Sequence, residues 1–321
     1  MKFALEDGVV DAVLGIKKGA DTFDARPVLI TDPNEVMETA GAIYGGTLLL
    51  SKLFGKYLNG SKDLKIAAAL KGCDVMGVYE QAKRRQLNLD NVLMIGLNCG
   101  GATTPAMMRR IMSEVFLVDP DSVSKVTMYK GHLNITSEGG KKDISIPKLE
   151  DAGYGRRSNC RRCKMKVPRQ ADLACGQWGV REDRVGKATF VEVCSQRGAD
   201  LVNAAQEAGA IGTEVPDASC IKARKRREDA VLNLADEWRR RDFAPLSNSK
   251  DRLKTMIEET ARCIKCYTCI DCGQCEELCP MDIPNALFMH AIEADLEELY
   301  GYHAGEDVSQ PAVSITKEPD V

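Results

Sequence analysis

The stretch at residues 65–101, KIAAALKGCDVMGVYEQAKRRQLNLDNVLMIGLNCGG, carries the clearest signal for a fold class in this sequence. Two short apolar runs within it, KIAAAL and NVLMIGLNC, have the length and composition of buried strands, and GVYEQAKRRQL between them has the spacing of an amphipathic helix. Strands that alternate with helices are typical of a parallel α/β sheet. Such sheets bind ligands at the carboxyl ends of their strands, so we expect the functional site at that edge.

Each of these two predicted strands leads to a cysteine. Cys73 follows the first strand and Cys99 closes the second, so we expect the two thiols to meet at the ligand-binding edge. Cys160 and Cys163, in NCRRC, have the CxxC spacing of half a metal site or of a redox pair. We expect these four cysteines to hold one iron–sulfur cluster; a zinc site and unrelated buried thiols are the alternatives.

Arginines flank the CxxC pair on both sides. Cations lower the pKa of nearby thiols and offset the negative charge of a thiolate-bound cluster, although the same side chains would also suit a phosphate. They are Arg156, Arg157, Arg161 and Arg162. Three other cysteines have no partner at ligand spacing, and we expect them to be small buried hydrophobes. They are Cys175, Cys194 and Cys220.

The rest of the first two thirds of the chain continues the strand and helix pattern. VVDAVLGIKK predicts a strand, and DPNEV predicts a helix start with Asp32 as N-cap, Pro33 at the first helical position and Glu35 in a capping box. We expect that helix to run through METAGAIYGGTLLLSKLFGKYL. Residues 124–147 alternate around a Gly-Gly turn, which predicts an antiparallel hairpin insertion with His132 at its surface. TFVEVCSQRGADLVNAAQEAGAI predicts one more strand and helix.

A charged helical stretch follows, from IKARKRREDAVLNLADEWRRRD toward residue 262. Its basic runs 222–227 and 239–241 resemble a nucleic-acid patch, but acidic residues alternate with them and the formal net charge is −3. We expect these runs to lie on a solvated helix face, and no nucleic-acid partner is implied.

The densest cysteine motif is CIKCYTCIDCGQCEELCP, residues 263–280. Its second part has the spacing C-x2-C-x2-C-x3-C-P of bacterial ferredoxins, in which close thiolates wrap a 4Fe-4S cluster. A single zinc ion cannot use six thiols. The expected ligands are Cys263, Cys266, Cys269, Cys272, Cys275 and Cys279. Two ferredoxin clusters need eight cysteines, and both parts of the motif include Cys269, so either one cluster is incomplete or further residues belong between those parts.

Length and composition complete the outline. With 321 residues, the chain has room for two or three domains. We place them at 1–215 (α/β), 216–260 (helical linker), 261–304 (ferredoxin-like) and 305–321 (tail). No signal peptide and no window of about 18 apolar residues is evident, so we expect a cytoplasmic protein without a membrane span. Thirteen cysteines, an odd number, then indicate metal or redox chemistry rather than disulfides.

Several motifs together resemble one family. CIKCYTC, CIDCGQCEELCPMDIP, MIGLNCGGATTP, GRRSNCRRC and PRQADLACGQWG are similar to the beta subunits of coenzyme F420-dependent formate dehydrogenases and F420-reducing hydrogenases. The similarity covers about residues 7–302. It implies an α/β flavin-binding core with parallel strands and a hairpin insertion, plus a small C-terminal ferredoxin-like iron–sulfur domain. In that family the cysteines of the GCD, LNCGG and NCRRC segments hold a cluster near FAD.

The resemblance implies an oxidoreductase that passes electrons from 4Fe-4S clusters, two or more with three expected, through FAD to F420 as hydride. It also implies a partner alpha subunit with a molybdenum or tungsten pterin, within a larger complex. The family usually has an earlier glycine-rich segment, so we expect some flavin contacts to lie outside this sequence. Candidate flavin contacts flank the strand-end cysteines or lie in ACGQWG. They are Lys71, Asn98, Gly100, Gly101, Thr103, Gly176 and Trp178.

Two other functions stay open from the sequence. The same module could serve an F420-reducing hydrogenase or another F420 oxidoreductase, or the chain could be a non-enzymatic ferredoxin-type relay. Bound flavin would separate the relay from the others. No side-chain acid or base is expected for the hydride step, so no catalytic residue is assigned.

Overall fold

The computed structural model describes residues 1–45 and 48–248, together with Glu298 and Gly301. The chain divides into two units, Met1–Glu237 and Trp238–Val321, and both sheets lie in the first. The six cysteines predicted at 263–279, the ferredoxin-like domain and the tail lie outside the described residues, apart from Glu298 and Gly301. The domain boundaries at 215, 260 and 304 stay predictions.

A mixed six-stranded sheet forms the centre of the first unit. Its order is β2-β1-β3-β4-β8-β9, with β1, β3, β4 and β8 parallel and an antiparallel strand at each edge. The predicted parallel α/β sheet is therefore confirmed. The strands are β1 (Ala12–Lys18), β2 (Ala25–Ile30), β3 (Ile66–Lys71), β4 (Val92–Leu97), β5 (Val123–Tyr129), β6 (His132–Ser137), β7 (Gly140–Ser145), β8 (Leu173–Gly176) and β9 (Phe190–Val193).

Helices cover both faces of this sheet. The α-helices are α1 (Lys2–Glu6), α2 (Ser51–Tyr57), α3 (Gly72–Lys83), α4 (Pro105–Arg110), α5 (Ile146–Asp151), α6 (Ser158–Arg162), α7 (Gln196–Glu207) and α8 (Ala218–Asn248). A π-helical segment, Ile111–Phe116, continues α4. The 3₁₀ helices are Pro33–Thr39, Asn59–Ser61, Leu89–Asn91, Pro120–Ser122 and Glu182–Arg184.

The central strands are buried on both faces, as parallel strands between helices should be. On one face, Ala68 and Leu70 of β3 pack with Phe54 of α2 and Val75 of α3. On the other face, Ala67 of β3 belongs to a core cluster with residues of α1 and of the Pro33–Thr39 helix. Packing of helices on both faces of the sheet fixes the positions of the β3 and β4 carboxyl ends.

The predicted hairpin insertion is instead a three-stranded antiparallel sheet, β5-β6-β7. The Gly-Gly turn does join two of its strands, but a second turn at Lys130-Gly131, both with positive φ, makes the extra hairpin. Leu133 and Ile135 pack against α4, the π-helical segment and α5 to form a separate core. His132 is exposed as predicted, and its Nδ1 lies 2.6 Å from Asp143 Oδ2.

The long helix predicted after Asp32 is wrong. Asp32 does act as N-cap, accepting from the Asn34 N–H at 2.9 Å, but it caps a 3₁₀ helix that ends at Thr39. Helix resumes only in α2. Gly41 adopts a φ of +113°, which a helix cannot contain, and a Cβ atom at Gly45 would lie 2.6 Å from the Phe23 carbonyl oxygen. Glu35 pairs with Lys17 instead of closing a capping box.

Other predicted elements have shifted ends. Helix α3 begins at Gly72 rather than near Gly77, so it includes Cys73. Strand β4 ends at Leu97, two residues before Cys99. Strands β2 and β8 are absent from the predicted pattern because β2 is mostly exposed and β8 has only four residues. The predicted strand β9 and helix α7 are confirmed, and α8 covers the described part of the charged helical stretch.

A candidate metal and flavin site

Three cysteine-bearing segments meet beyond the carboxyl ends of β3 and β4. Cys73 lies in the first turn of α3, Cys99 follows β4, and Cys160 and Cys163 lie in and just after α6. The two strands are in register and parallel over their full lengths, which places both strand-end cysteines at one sheet edge. The chain from 160 to 166 then crosses this edge.

Backbone contacts hold the crossing segment in place. The Cys99 N–H donates to the carbonyl oxygen of Lys166 at 2.8 Å. A Cβ atom at Gly72 would clash with the Met165 carbonyl oxygen, and one at Gly101 would lie 3.2 Å from the Cys160 Cβ. Glycine is required for these approaches because any side chain would push the segments apart.

The thiols at this edge influence one another. Although Cys73 is exposed at the surface, crowding by protein atoms raises the pKa of its thiol to about 12, and Asp74, Cys99 and Cys163 add to the shift while Lys71 opposes it. Burial likewise raises the pKa of Cys99, where Cys160 adds to the shift. Without a metal these thiols are protonated, whereas a bound metal would displace the protons.

The donor set fits an iron–sulfur cluster in its chemistry. A zinc ion needs its sulfur ligands about 2.3 Å from one point, and within residues 1–45 and 48–248 no three His, Cys, Asp or Glu side chains are arranged to hold one metal ion. The thiolates of a 4Fe-4S cluster bind four different iron atoms and are therefore farther apart. The four-cysteine ligand set stays a prediction.

A buried lysine lies beside these cysteines. Lys166 is only 1 % exposed, and its Nζ donates to the Cys160 carbonyl oxygen at 3.0 Å. Burial lowers the pKa of its ammonium, while Cys163, Cys99 and Cys160 act in the opposite direction. The sequence prediction missed Lys166 because nothing in KMKVP distinguishes a buried lysine from an exposed one.

The flanking arginines have more varied roles than predicted. Arg156 is buried and pairs with Glu150 through two hydrogen bonds, of which the one from Nη2 to Oε2 is 2.8 Å long. Its Nη1 donates to the Gly100 carbonyl oxygen at 2.9 Å. Arg161 donates to the carbonyl oxygens of Arg156 and Tyr154. Arg156 and Arg161 thus hold the backbone on either side of the CxxC pair in place. Arg162 donates to Asn159 Oδ1. Arg157 is exposed.

Asn98 is the candidate flavin contact with the clearest structural signal. Both polar atoms of its side-chain amide are buried without a hydrogen-bond partner among the described residues. Gly176 makes room for it, because a Cβ atom there would lie 2.8 Å from Asn98 Nδ2. Buried polar groups are rarely unpaired, so this amide fits a polar group of a bound ligand such as a flavin.

Two further candidates face other partners. Lys71 forms an ion pair with Asp74 at 2.8 Å and donates to the Leu48 carbonyl oxygen; burial opposes its charge, but Asp74 outweighs this and raises its pKa. Thr103 has a buried Oγ1 without a described partner and lines a small cavity with Met108 and Leu133. Lys71 also lies close enough to Cys73 and Cys99 for its charge to lower the pKa of both thiols, whereas the contacts of Thr103 involve no cysteine.

The remaining candidate flavin contacts do not all lie beside the cysteines. Gly100 leaves open space where a Cβ would lie, and Gly101 packs on Arg156 and Cys160. Trp178 packs against α8, where the Arg224 guanidinium carbon lies 5.9 Å from its ring centroid. The structure thus brings Asn98, Gly101 and Gly176 to the cysteine segments, while Trp178 lies against a different element.

The three cysteines predicted as isolated thiols are partly buried. Burial raises the pKa of Cys175 to about 11, and Cys194 adds to the shift. Such thiols are poor nucleophiles at neutral pH.

In the part of the chain that the structure describes, no helix is long and apolar enough to cross a membrane.

Fold and site together define an α/β protein in which three cysteine-bearing segments meet beyond the carboxyl ends of two parallel strands. Residues 1–54 match the family model "Coenzyme F420 hydrogenase/dehydrogenase, beta subunit N-term", and residues 63–219 match its C-terminal counterpart. The chain is 36% identical over 355 residues to a Methanocaldococcus jannaschii protein named F420-dependent formate dehydrogenase subunit beta, covering 97% of this chain and 91% of the relative. The chain belongs to the coenzyme F420 hydrogenase/dehydrogenase beta subunit family, which confirms the resemblance.

Two other comparisons agree. F420-dependent formate dehydrogenase 1 subunit beta of Methanococcus maripaludis is 38% identical over 276 residues, covering 85% of this chain and 70% of the relative. A solved structure of the F420-reducing [NiFe] hydrogenase complex from Methanosarcina barkeri contains a chain of similar fold, with a TM-score of 0.60, 19% identity and coverage of 78% of this chain and 83% of that chain. At that identity the structural likeness concerns the fold alone.

Proposed function

We propose that this protein is the F420-reducing beta subunit of a formate dehydrogenase. It would take electrons from a partner alpha subunit that oxidises formate and deliver them to coenzyme F420. The observation that carries the proposal is the meeting of Cys73, Cys99, Cys160 and Cys163 segments at one sheet edge, in a chain whose relatives are named for this activity.

The residues at the edge have separate tasks in this proposal. Thiolates of the four cysteines would hold a 4Fe-4S cluster, and the C-terminal motif would hold the clusters nearer the partner. Clusters carry single electrons and FAD exchanges one or two, so the bound cofactors supply the conversion between single electrons and hydride. Asn98 and Gly176 support a flavin site next to the cluster, because the Asn98 amide is buried and lacks a described partner.

The surroundings of the site maintain its geometry. The Arg156–Glu150 pair fixes the carbonyl of Gly100 and so orients the loop after Cys99. The glycines at 72 and 101 let the crossing segment approach closely. Cys99 is partly buried, which would limit the water around a bound cluster and lower the local dielectric.

The main test is anaerobic purification of the protein, followed by iron, sulfide and flavin analysis and an F420 reduction assay with and without a formate-oxidising subunit. We expect iron, sulfide and flavin in the purified chain and formate-dependent F420 reduction only with the partner. Reduction driven by H₂ and a hydrogenase partner instead would favour the hydrogenase alternative, for which a 26% identical relative, Coenzyme F420 hydrogenase subunit beta of Methanococcus voltae, is known. Absence of flavin would favour the relay.

A variant pair tests the path. Cys160→Ser should abolish electron delivery to F420 while the signals of the C-terminal clusters persist in EPR spectra. Cys220→Ser is the matched control, because Cys220 lies on α8 outside the cysteine segments. Unchanged turnover in Cys160→Ser would remove this residue from the path.

A further inference from the structure

Lys166 is a buried lysine that is hydrogen-bonded to the backbone of two of the predicted cluster ligands. Its side chain is 1 % exposed, its Nζ donates to the Cys160 carbonyl oxygen at 3.0 Å, and its own carbonyl oxygen accepts from the Cys99 N–H at 2.8 Å. Both ends of the residue therefore lie against the site.

No carboxylate among the described residues forms an ion pair with Lys166. The charged or ionisable groups with the largest influence on it are Cys163, Arg156, Cys99 and Cys160. Arg156 is a cation already paired with Glu150. The cysteines are thus the neighbouring groups that can supply compensating negative charge.

A buried ammonium with one carbonyl partner is unfavourable, because a single hydrogen bond does not replace the lost hydration of the charge. Thiolates around a 4Fe-4S cluster would change this balance, since the cluster with its four thiolates carries net negative charge. One-electron reduction adds a further negative charge, so a fixed cation nearby stabilises the reduced form more than the oxidised form.

We propose that Lys166 is the buried counter-charge of the cluster held by Cys73, Cys99, Cys160 and Cys163 and that it raises the reduction potential of this cluster. This inference rests on the proposed function. It makes Lys166 a positioning residue that sets how readily the cluster accepts an electron from the preceding donor, without touching the substrate.

The test is a redox titration with dithionite, monitored by EPR, on the anaerobically purified full chain and on four variants. The signal of this cluster is identified as the one missing from Cys160→Ser. Lys166→Met should retain iron and sulfide but lower the equilibrium constant for reduction at least tenfold, about 59 mV for a one-electron couple. Lys166→Arg should stay close to the parent protein. Lys164→Met is the matched control, because Lys164 is exposed and paired with Asp236 at 2.9 Å.

A second readout does not depend on the cluster. In the iron-free protein, Lys166→Met should resist urea unfolding better than the parent, because it replaces a buried polar group that has one hydrogen-bond partner with an apolar side chain, and Lys164→Met should leave the urea midpoint unchanged. A cluster potential that is unchanged in Lys166→Met at full iron content, or equally shifted in Lys164→Met, overturns the inference.

Two outcomes need separate interpretation. If Lys166→Met does not retain the cluster, iron retained by Lys166→Arg but lost by Lys166→Gln supports a requirement for charge, whereas loss from both overturns the inference. If the parent protein itself shows no signal that Cys160→Ser removes, the proposed cluster fails and with it the proposed function. A parent signal with an unmoved potential rejects the role of Lys166 alone.

Discussion

The backbone N–H of Cys99 donates a 2.8 Å hydrogen bond to the carbonyl oxygen of Lys166. This bond joins the end of a central strand to a segment 67 positions farther along the chain, and it brings the CxxC pair to the sheet edge. The candidate site thus depends on a tertiary contact between two loops whose sequences have no periodic relation.

Cys99→Ser should remove one cluster, a loss of about four iron atoms per chain, because serine is a poor ligand for iron in such clusters. Iron and sulfide analysis of anaerobically purified protein measures this. Cys175→Ser is a close control, since Cys175 pairs with Leu97 on the adjacent strand and its carbonyl accepts from the Asn98 N–H. Equal iron content in the Cys99→Ser variant and the parent would contradict the ligand assignment.

Gly101→Ala should destabilise the protein by about 1–3 kcal/mol. Gly101 has a φ of +123°, and a Cβ there would lie 2.6 Å from Arg156 Cδ and 3.2 Å from Cys160 Cβ. Gly100→Ala should be nearly neutral in stability, because its Cβ would enter open space. Urea unfolding of both variants measures the difference, and equal stabilities would show that the 101 position tolerates a side chain.

Arg156→Met should lower the free energy of unfolding by about 3 kcal/mol, because the buried Glu150 carboxylate loses both hydrogen bonds to Arg156 and keeps, among the described residues, only the longer contact with Arg161 at 3.9 Å. The Glu150 side chain is only 2 % exposed. The double variant Arg156→Met/Glu150→Met should regain much of the loss, since the buried carboxylate is gone and Arg161 keeps its hydrogen bonds to two carbonyl oxygens. Arg157→Met, at an exposed position, is the control for removing a positive charge. A comparable loss of unfolding free energy in Arg157→Met would contradict a specific role of the buried Arg156–Glu150 pair.

Cys175 should be alkylated slowly at pH 8. Burial raises its pKa to about 11, so the reactive thiolate is about a thousandth of the population at pH 8 and increases about tenfold per pH unit until it approaches the pKa. Iodoacetamide labelling followed by peptide mass spectrometry measures the rate. In urea the alkylation rate of Cys175 should level off near pH 9, as it does for an unperturbed cysteine. A plateau of the rate near pH 9 in the folded protein would disprove the raised pKa.

The main strands were predictable because their signals are local. KIAAAL and NVLMIGLNC are apolar runs bounded by polar residues, and they form β3 and β4 with only small changes at their ends. His132 and the Asp32 cap were also predictable, because an alternating pattern and a capping residue act over a few positions. The family motifs required only residue identity and spacing.

The failed helix prediction shows where local signals stop. The segment after Thr39 has helix-forming residues, but the Gly45 backbone packs against Phe23 and Gly41 takes a positive φ, and such contacts depend on distant residues. Short or exposed strands such as β8 and β2 have little periodic signal, so their neighbours in the sheet decide them.

Patterns along the chain were enough to predict the strands β1, β3 and β4, the cysteines that follow β3 and β4, and the family. Those patterns did not show that α3 includes Cys73, that the 160–166 segment crosses the sheet edge beside Cys99, or that Lys166 is buried while Lys164 is exposed. The physical reason is that burial and charge compensation depend on which segments pack together, and chain order does not specify that packing.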